Sequence, residues 1–125
     1  YFSRARIAAA KQAKRYLMEN LDRRVPIAEL CAQMNVSPTA LKESFRGVYG
    51  TSIYAFVRAY KMQKAAIQIQ KTDRAILHIA MDFGYENASK FSTAFRDVIG
   101  QSPQQYRKNS VRLERRPSER SGQEG

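Results

Sequence analysis

The amino-acid sequence predicts an all-α fold of about seven helices, with two helix-turn-helix subdomains joined by a long linker helix. Two observations support this prediction. A nine-residue pattern occurs twice, as FRGVYGTSI at 45–53 and as FRDVIGQSP at 95–103. Around each copy, apolar residues recur at helical spacing and are separated by residues that favour turns. A repeat with a period of about fifty residues therefore organises the chain.

The first copy of the repeat consists of two helices and the turn between them. Asn35 lies in that turn, and asparagine tolerates the positive φ that a tight turn requires. Ser37 is predicted to cap the second helix and Pro38 to begin it, where a missing N–H costs nothing. We expect this second helix to end at Gly50. The first helix carries apolar residues at helical spacing: Ile27, Leu30, Cys31 and Met34.

The second copy repeats this arrangement with one additional residue near its turn. Asp73 is predicted to cap its first helix, and Gly84 stands where the first copy has Asn35. Its second helix is expected to end at Gly100. The apolar residues of its two helices are Ile76, Ile79, Ala80 and Phe83, and then Phe91, Ala94, Phe95 and Val98.

Three further helices frame the two copies. Apolar residues on one side of the stretch 4–21 predict an N-terminal helix. A long helix is predicted over 52–71, begun by Ser52, and at about 1.5 Å per residue it is about 30 Å long. After Ser102-Pro103 the stretch QQYRK predicts a final short helix.

The predicted domain organisation follows from these elements. Residues 1–51 contain the N-terminal helix and the first helix-turn-helix, residues 52–72 the linker helix, and residues 73–108 the second helix-turn-helix. The stretch 109–125 is rich in Ser, Gly, Pro and mixed charge. We expect it to be a tail that is disordered from about residue 112.

The chain is strongly basic, and its charge is unevenly distributed. Its formal net charge is +11, from 22 Lys and Arg against 11 Asp and Glu. Residues 1–72 hold 13 basic and 4 acidic residues, whereas residues 73–108 hold 5 and 4. A positive charge of this size predicts an anionic partner: nucleic acid, an acidic membrane surface or an acidic protein.

Single cysteine and histidine residues exclude several classes of site. Cys31 is the only cysteine and His78 the only histidine, so neither an intrachain disulfide nor a metal site of several Cys and His residues can form. This favours a reducing compartment, the cytoplasm. Nothing supplies a nucleophile, a cofactor site or a paired acid and base, so we expect no enzyme. No apolar run approaches the roughly 20 residues that span a membrane. Since the chain begins at Tyr1 rather than Met, we expect a fragment of a longer protein.

The second copy carries a resemblance to a known family. The run IAMDFGYENASKFSTAFRDVIGQSPQQYR at 79–107 resembles the signature of the AraC/XylS-type DNA-binding domain. The run LCAQMNVSPTALKESFRGVYGTSIYAFV at 30–57 resembles that family's other helix-turn-helix, and FVRAYKMQKAAIQIQ at 56–70 resembles its linker helix. The resemblance covers about residues 5–108. It implies two homeodomain-like helix-turn-helix subdomains, although Lys61 stands where the family pattern has arginine.

The resemblance also implies a function. It implies sequence-specific binding of double-stranded promoter DNA by a bacterial-type transcription regulator, either an activator or a repressor. The second helix of each unit, the recognition helix, would enter one of two successive major grooves about 34 Å apart. Many members of the family have a separate effector or dimerisation domain, which the start at Tyr1 suggests is missing here. The alternative is a helical protein-interaction module, for example one that contacts RNA polymerase, without specific DNA recognition.

The resemblance assigns candidate DNA contacts to the face of each recognition helix opposite its core residues. Lys42 could donate to guanine O6 and N7 and Glu43 accept from cytosine N4, or the two residues could form a merely solvated helix face. In the second helix small residues permit contact with thymine methyl groups, and only Lys90 is a strong donor, so we expect weaker base discrimination. The candidates for base contact are Thr39, Lys42, Glu43, Ala88, Ser89, Lys90, Ser92 and Thr93. The candidates for phosphate contact are Ser37, Arg46, Lys61 and Arg96.

Overall fold

The computed structural model describes residues 3–111, and all regular secondary structure in that range is helical. This confirms the predicted all-α fold. A seventh helical segment, α7, covers 103–111. The six preceding helices are α1 (Arg4–Met18), α2 (Ile27–Met34), α3 (Pro38–Tyr49), α4 (Ile53–Lys71), α5 (Ile76–Asp82) and α6 (Ala88–Ile99).

The chain forms two compact units, and their boundary lies inside α4. The first unit is Tyr1–Lys61 and the second is Met62–Gly125. The sequence predicts 52–72 as a separate linker helix. In the structure, partly buried apolar residues in the first half of α4 pack against the core of the first unit, and those in the second half are buried in the core of the second unit.

The core of the first unit joins α1, α2 and α3. Ala10 and Ala13 of α1 are fully buried, and their small side chains allow the helix to approach its neighbours closely. Phe56 and Val57, from the first half of α4, pack against the same core. Cys31, one of the apolar residues at helical spacing in α2, is buried. The buried residues of this core are Ala10, Ala13, Leu17, Leu30, Cys31, Leu41 and Phe45.

The core of the second unit has the same plan. The second half of α4 takes the place that α1 has in the first unit, and α5 and α6 take those of α2 and α3. Fully buried Phe91 and Phe95 of α6 stand where α3 has Leu41 and Phe45. The buried residues are Met62, Ala65, Ala66, Ile69, Ile79, Ala80, Phe91, Ala94 and Phe95.

Most predicted helix ends are confirmed. The turn residues Asn35 and Gly84 both have positive φ, 55° and 83°, as the sharp reversal after α2 and α5 requires. Gly50 and Gly100 are the left-handed C-caps of α3 and α6. Ser52 begins α4 as predicted, because its Oγ accepts a hydrogen bond from the backbone N–H of the third residue beyond it at 3.1 Å.

Two predicted helix ends are wrong. Asp73 does not cap α5, whose N-cap is Ala75 without any side-chain hydrogen bond. Arg74 instead pairs with Asp82 at the other end of the helix, with 2.6 Å between Nη1 and Oδ2. In addition, α1 ends at Met18 rather than at residue 21. It ends there because turn hydrogen bonds, including one from Asn20 Nδ2 to the carbonyl of residue 16 at 2.8 Å, satisfy its last carbonyls.

The repeated nine-residue pattern is explained by the packing that follows each recognition helix. In the first unit, α4 returns Phe56 to the core, with its ring 5.4 Å from that of Phe45. In the second unit, Ser102 caps α7, and α7 returns Tyr106 to within 5.6 Å of Phe95. The pattern therefore encodes a buried aromatic residue, a helix end and a new helix start, and the aromatic residue that packs on the first follows three positions after the pattern.

The C-terminal tail differs in part from its prediction. Residues 109–111, which the sequence assigns to the tail, continue α7. The remaining tail, 112–125, lies outside the described residues, so the prediction of disorder there is not tested.

Candidate nucleic-acid interface

The first recognition helix, α3, is held at both ends and along one face. Ser37 Oγ accepts a hydrogen bond from the backbone N–H of Ala40 at 3.2 Å, and Pro38 occupies the first turn. Leu41 and Phe45 are fully buried. Because these contacts fix the rotation of α3 about its axis, they also fix which residues face solvent.

One stripe of exposed residues runs along the solvent face of α3. These residues are spaced at i, i+3, i+4 and i+7, so their side chains share one face of the helix. The group combines two cations, one anion and one hydroxyl, which can contact both phosphate and base edges. We call this group the first stripe: Thr39, Lys42, Glu43 and Arg46.

Glu43 of the first stripe forms an ion pair that was not predicted from the sequence. Arg6 Nη1, from the first turn of α1, lies 3.7 Å from Glu43 Oε1. Both side chains remain largely accessible, at 46% and 60% exposure. The two residues are 37 positions apart, which leaves no local signal from which the pairing could have been predicted.

The second recognition helix, α6, is held in a similar way. Asn87 Oδ1 accepts hydrogen bonds from the backbone N–H groups of Ser89 at 2.7 Å and Lys90 at 3.2 Å. This cap was not predicted from the sequence, although Asn87 lies fifty positions after Ser37 and asparagine is a favoured N-cap residue. Phe91 and the other buried residues of α6 fix its inner face.

The predicted contact residues of α6 share the opposite face. Lys90 is exposed but does not belong to this group. The face is nearly neutral, since Arg96 is its only charged residue, and its small hydroxyl and methyl groups allow a close approach. We call the group the second stripe; it lines one open depression of the second unit and consists of Ala88, Ser89, Ser92, Thr93 and Arg96.

The structure gives Lys61 a different environment from the one predicted for a phosphate contact. Only 7% of the residue is exposed, and its Nζ donates to the backbone carbonyl of Arg23 at 3.2 Å. Burial lowers the pKa of Lys61, and nearby Asp22 opposes this effect. An ammonium group held in this way supports the loop between α1 and α2.

The same loop is fixed by a polar cluster of three side chains. Arg23 Nη1 donates to Glu29 Oε1 at 2.9 Å, and both Arg23 Nη2 and the Tyr16 hydroxyl donate to Glu29 Oε2. The hydrogen bonds from Arg23 and then from Tyr16 lower the pKa of Glu29 to about 2. The hydrogen bond to Glu29 also raises the pKa of Tyr16. The cluster links α1, the loop and α2, and so stabilises the base on which α3 packs.

Within residues 3–111 the structure contains neither a metal-binding cluster nor a membrane-spanning helix. No group of three or more His, Cys, Asp or Glu residues in that range could hold a metal ion. No helix of the described part of the chain has the length and apolar character needed to cross a membrane.

Known proteins resemble this chain in sequence. A family model described as a helix-turn-helix domain matches residues 30–109. The transcriptional regulator Rob of Salmonella typhimurium is 30% identical over 95 residues, which cover 76% of this chain and 33% of Rob. The HTH-type transcriptional activator RhaR of Klebsiella pneumoniae is 35% identical over 94 residues, which cover 75% of this chain and 34% of RhaR. The chain thus spans about a third of the length of these curated relatives.

Solved structures share the fold. The C-terminal domain of AraT, a response regulator from Geobacillus stearothermophilus, superposes with a TM-score of 0.78 at 29% identity, covering 81% of this chain and 84% of that domain. The DNA-binding domain of the global transcriptional factor AdpA, in complex with a target DNA, has a TM-score of 0.76 at 20% identity, covering 86% and 96%. The family match, supported by two capped helix-turn-helix units, shows that this chain belongs to the AraC/XylS-type family of DNA-binding transcription regulators, which is not a family of enzymes.

Proposed function

We propose that this chain binds double-stranded promoter DNA sequence-specifically, as the DNA-binding part of a transcription regulator. The observation that carries the proposal is the pair of exposed stripes, at equivalent positions of two recognition helices that are each capped and anchored in a core. Relatives named as transcriptional regulators, and a fold neighbour named as a complex with target DNA, support it. The net charge of +11 favours a polyanionic partner.

In this proposal the first stripe supplies the sharper recognition. Lys42 donates to the major-groove edge of guanine and Glu43 accepts from cytosine N4, while Thr39 contacts a neighbouring base. Arg46, one turn further along α3, binds phosphate. Ser37 lies at the N-terminus of α3, where its hydroxyl and the first backbone N–H groups favour a phosphate oxygen.

The second stripe supplies closer but less discriminating contacts. Ala88 and Thr93 offer methyl groups to thymine, and Ser89 and Ser92 offer hydroxyl groups that can donate or accept. Lys90 reaches a base at the edge of the stripe, and Arg96 binds phosphate in the way proposed for Arg46.

Two recognition helices in one chain give more specificity than a single recognition helix can. A single short helix contacts only a few base pairs, which gives little specificity in a genome. We propose that α3 and α6 enter successive major grooves, one helical turn or about 34 Å apart. One chain can then recognise an asymmetric site, and bending of the DNA compensates for imperfect spacing.

Other parts of the proposal extend beyond DNA. The proposal includes a contact with RNA polymerase and a separate effector or dimerisation domain, which many members of the family have. The chain would act in the cytoplasm, without enzymatic activity. The alternative, a helical protein-interaction module without DNA recognition, is less well supported. It gives no reason for two exposed stripes of potential base-contacting residues at equivalent positions of two recognition helices.

The test is selection of bound duplexes from a random pool, followed by titration of the selected duplex and of a scrambled duplex. At physiological salt the selected duplex should bind about 10³-fold more tightly or better, and both affinities should fall steeply as salt rises. Equal affinity for the two duplexes would reject specific recognition. Binding to neither duplex would favour the interaction module.

A further inference from the structure

We propose that Arg6 positions Glu43 for base recognition and thereby determines the specificity of α3 at one base pair. This inference rests on the proposed function and names a residue outside both recognition helices. Arg6 lies in the first turn of α1, and its Nη1 is 3.7 Å from Glu43 Oε1. Oε2 of the same carboxylate can then accept a hydrogen bond from cytosine N4.

The position of Arg6 is fixed by the packing of its helix. Ala9 and Ala10, one turn further along α1, are 6% and 0% exposed, and Ala10 belongs to the core that includes α3. Ser3 caps the same end of α1 by accepting from the backbone N–H of Arg6 at 3.3 Å. The guanidinium therefore extends from an anchored backbone towards the first stripe.

A carboxylate on a DNA-facing helix needs a nearby cation. Without one, Glu43 would be repelled by the surrounding phosphates whichever base it met. In free solution an ion pair as exposed as this contributes little to stability. When DNA displaces water from the interface, the same pair strengthens, because the local dielectric constant falls. The effect of Arg6 should therefore appear in DNA recognition and not in folding.

The second unit supports this role by contrast. Thr93 of α6 stands where α3 has Glu43. A neutral side chain at that position needs no compensating cation, so the pairing belongs to the recognition helix that presents a carboxylate.

The experiment compares DNA selected from a random pool by the wild type and by four variants: Arg6→Ala, Arg6→Lys, Glu43→Gln and the matched control Arg4→Ala. Arg4 lies in the same turn of α1 and has the same charge, but within the described residues it has no ion pair with Glu43. We expect Arg6→Ala to weaken cytosine preference at one base pair by about fivefold or more, at the position that Glu43→Gln also affects. Arg6→Lys should retain part of the preference, and Arg4→Ala should leave it unchanged.

Two further measurements separate positioning from other roles. The thermal midpoint of Arg6→Ala should match that of Arg4→Ala, and the double variant Arg6→Ala/Glu43→Gln should lose no more preference than Glu43→Gln alone. The inference is overturned if Arg6→Ala keeps the cytosine preference, or if it weakens all sequences equally, as a phosphate contact would. If the wild type selects no motif, the proposed function itself fails, and the inference fails with it.

Discussion

The two recognition helices are alike on their buried faces and different on their exposed faces. Inside, an aromatic residue occupies equivalent positions, Phe45 of α3 and Phe95 of α6, and both are fully buried. Outside, the first stripe contains two cations and a carboxylate that is paired with Arg6, whereas the second contains small residues and one arginine. Packing thus constrains one face of each helix, and the other face is left to carry the difference between the units.

This comparison separates two kinds of requirement. A buried position must match its neighbours in volume, and a substitution there costs stability. An exposed position has no such requirement, so its side chain can be chosen for the surface that it will meet. The following predictions test the separation, beginning with the largest expected effect.

Removing the shared aromatic residue should damage the two units equally. Phe45→Ala and Phe95→Ala should each lower the free energy of unfolding by about 3–5 kcal/mol, because each leaves a cavity in a core. Urea denaturation followed by circular dichroism measures the change. The controls Thr39→Ala and Ser89→Ala, at exposed positions, should stay within about 0.5 kcal/mol of the wild type. A cost below about 1 kcal/mol for either phenylalanine would contradict the common plan.

Removing equivalent residues of the two stripes should have unequal effects on DNA binding. Lys42→Ala should weaken binding to the selected duplex by about 1–3 kcal/mol, since a charged donor to a base edge is lost. Ser92→Ala, fifty positions later, should cost less because its hydroxyl is small and neutral. Fluorescence anisotropy at one fixed salt concentration measures both. Equal losses would show that the two helices discriminate bases alike.

The arginines at the equivalent positions of the two stripes should behave alike. Arg46→Ala and Arg96→Ala should each reduce the slope of log affinity against log salt by about 1, and should weaken all sequences to a similar extent. Lys61→Met is the matched control, because Lys61 is buried and donates to a backbone carbonyl. It should leave the slope unchanged. A smaller slope for Lys61→Met than for the wild type would indicate that Lys61 does contact phosphate.

Lowering the pH should reveal a smaller difference between the two units, in their stability. In the first unit the hydrogen bond from Arg23 lowers the pKa of Glu29 from 4.5 to about 2. The folded state therefore binds this proton less tightly than the unfolded state, so the stabilisation present above pH 4.5 is lost as the pH falls towards 2. In the second unit Arg74 lowers the pKa of Asp82 from 3.8 by the same mechanism.

The measurement is the thermal midpoint between pH 2 and 6 for the wild type and for Glu29→Gln, with amide signals from each unit as reporters. Glu29→Gln should make the thermal midpoint of the first unit less dependent on pH between 4.5 and 2, and should leave that of the second unit unchanged. Parallel declines in wild type and variant would show that Glu29 is not responsible.

Local signals allowed much of this fold to be predicted from sequence. The cap at Ser37, the turn at Asn35 and the end at Gly50 are each satisfied by residues a few positions away, so short-range chemistry decides them. The outward position of the stripe residues follows from the buried positions and the helical period. The cap at Asn87 is also a short-range signal, but it was not predicted. Asp73 matched the sequence pattern of a cap, but the N-cap of α5 is Ala75.

Contacts between distant segments could not be predicted. Lys61 donates to a carbonyl 38 residues earlier, and nothing near it in the sequence indicates burial. The cluster of Arg23 and Glu29 with Tyr16 and the ion pair of Arg6 with Glu43 also depend on how helices pack. The resemblance assigned Lys61 to phosphate, and a lysine is usually exposed, whereas the structure buries this one.

After each recognition helix a second aromatic residue packs on the buried phenylalanine, and this packing has a consequence for how such a protein can evolve. The aromatic pairs that form it, Phe45 with Phe56 and Phe95 with Tyr106, stabilise the fold whatever residues stand on the stripes. A duplicated unit could therefore acquire a new target by a series of surface mutations, each of which leaves a folded protein. The fold can then be conserved while the recognised DNA sequence changes. Glu43 is the exception, because a change there should select for a matching change at Arg6.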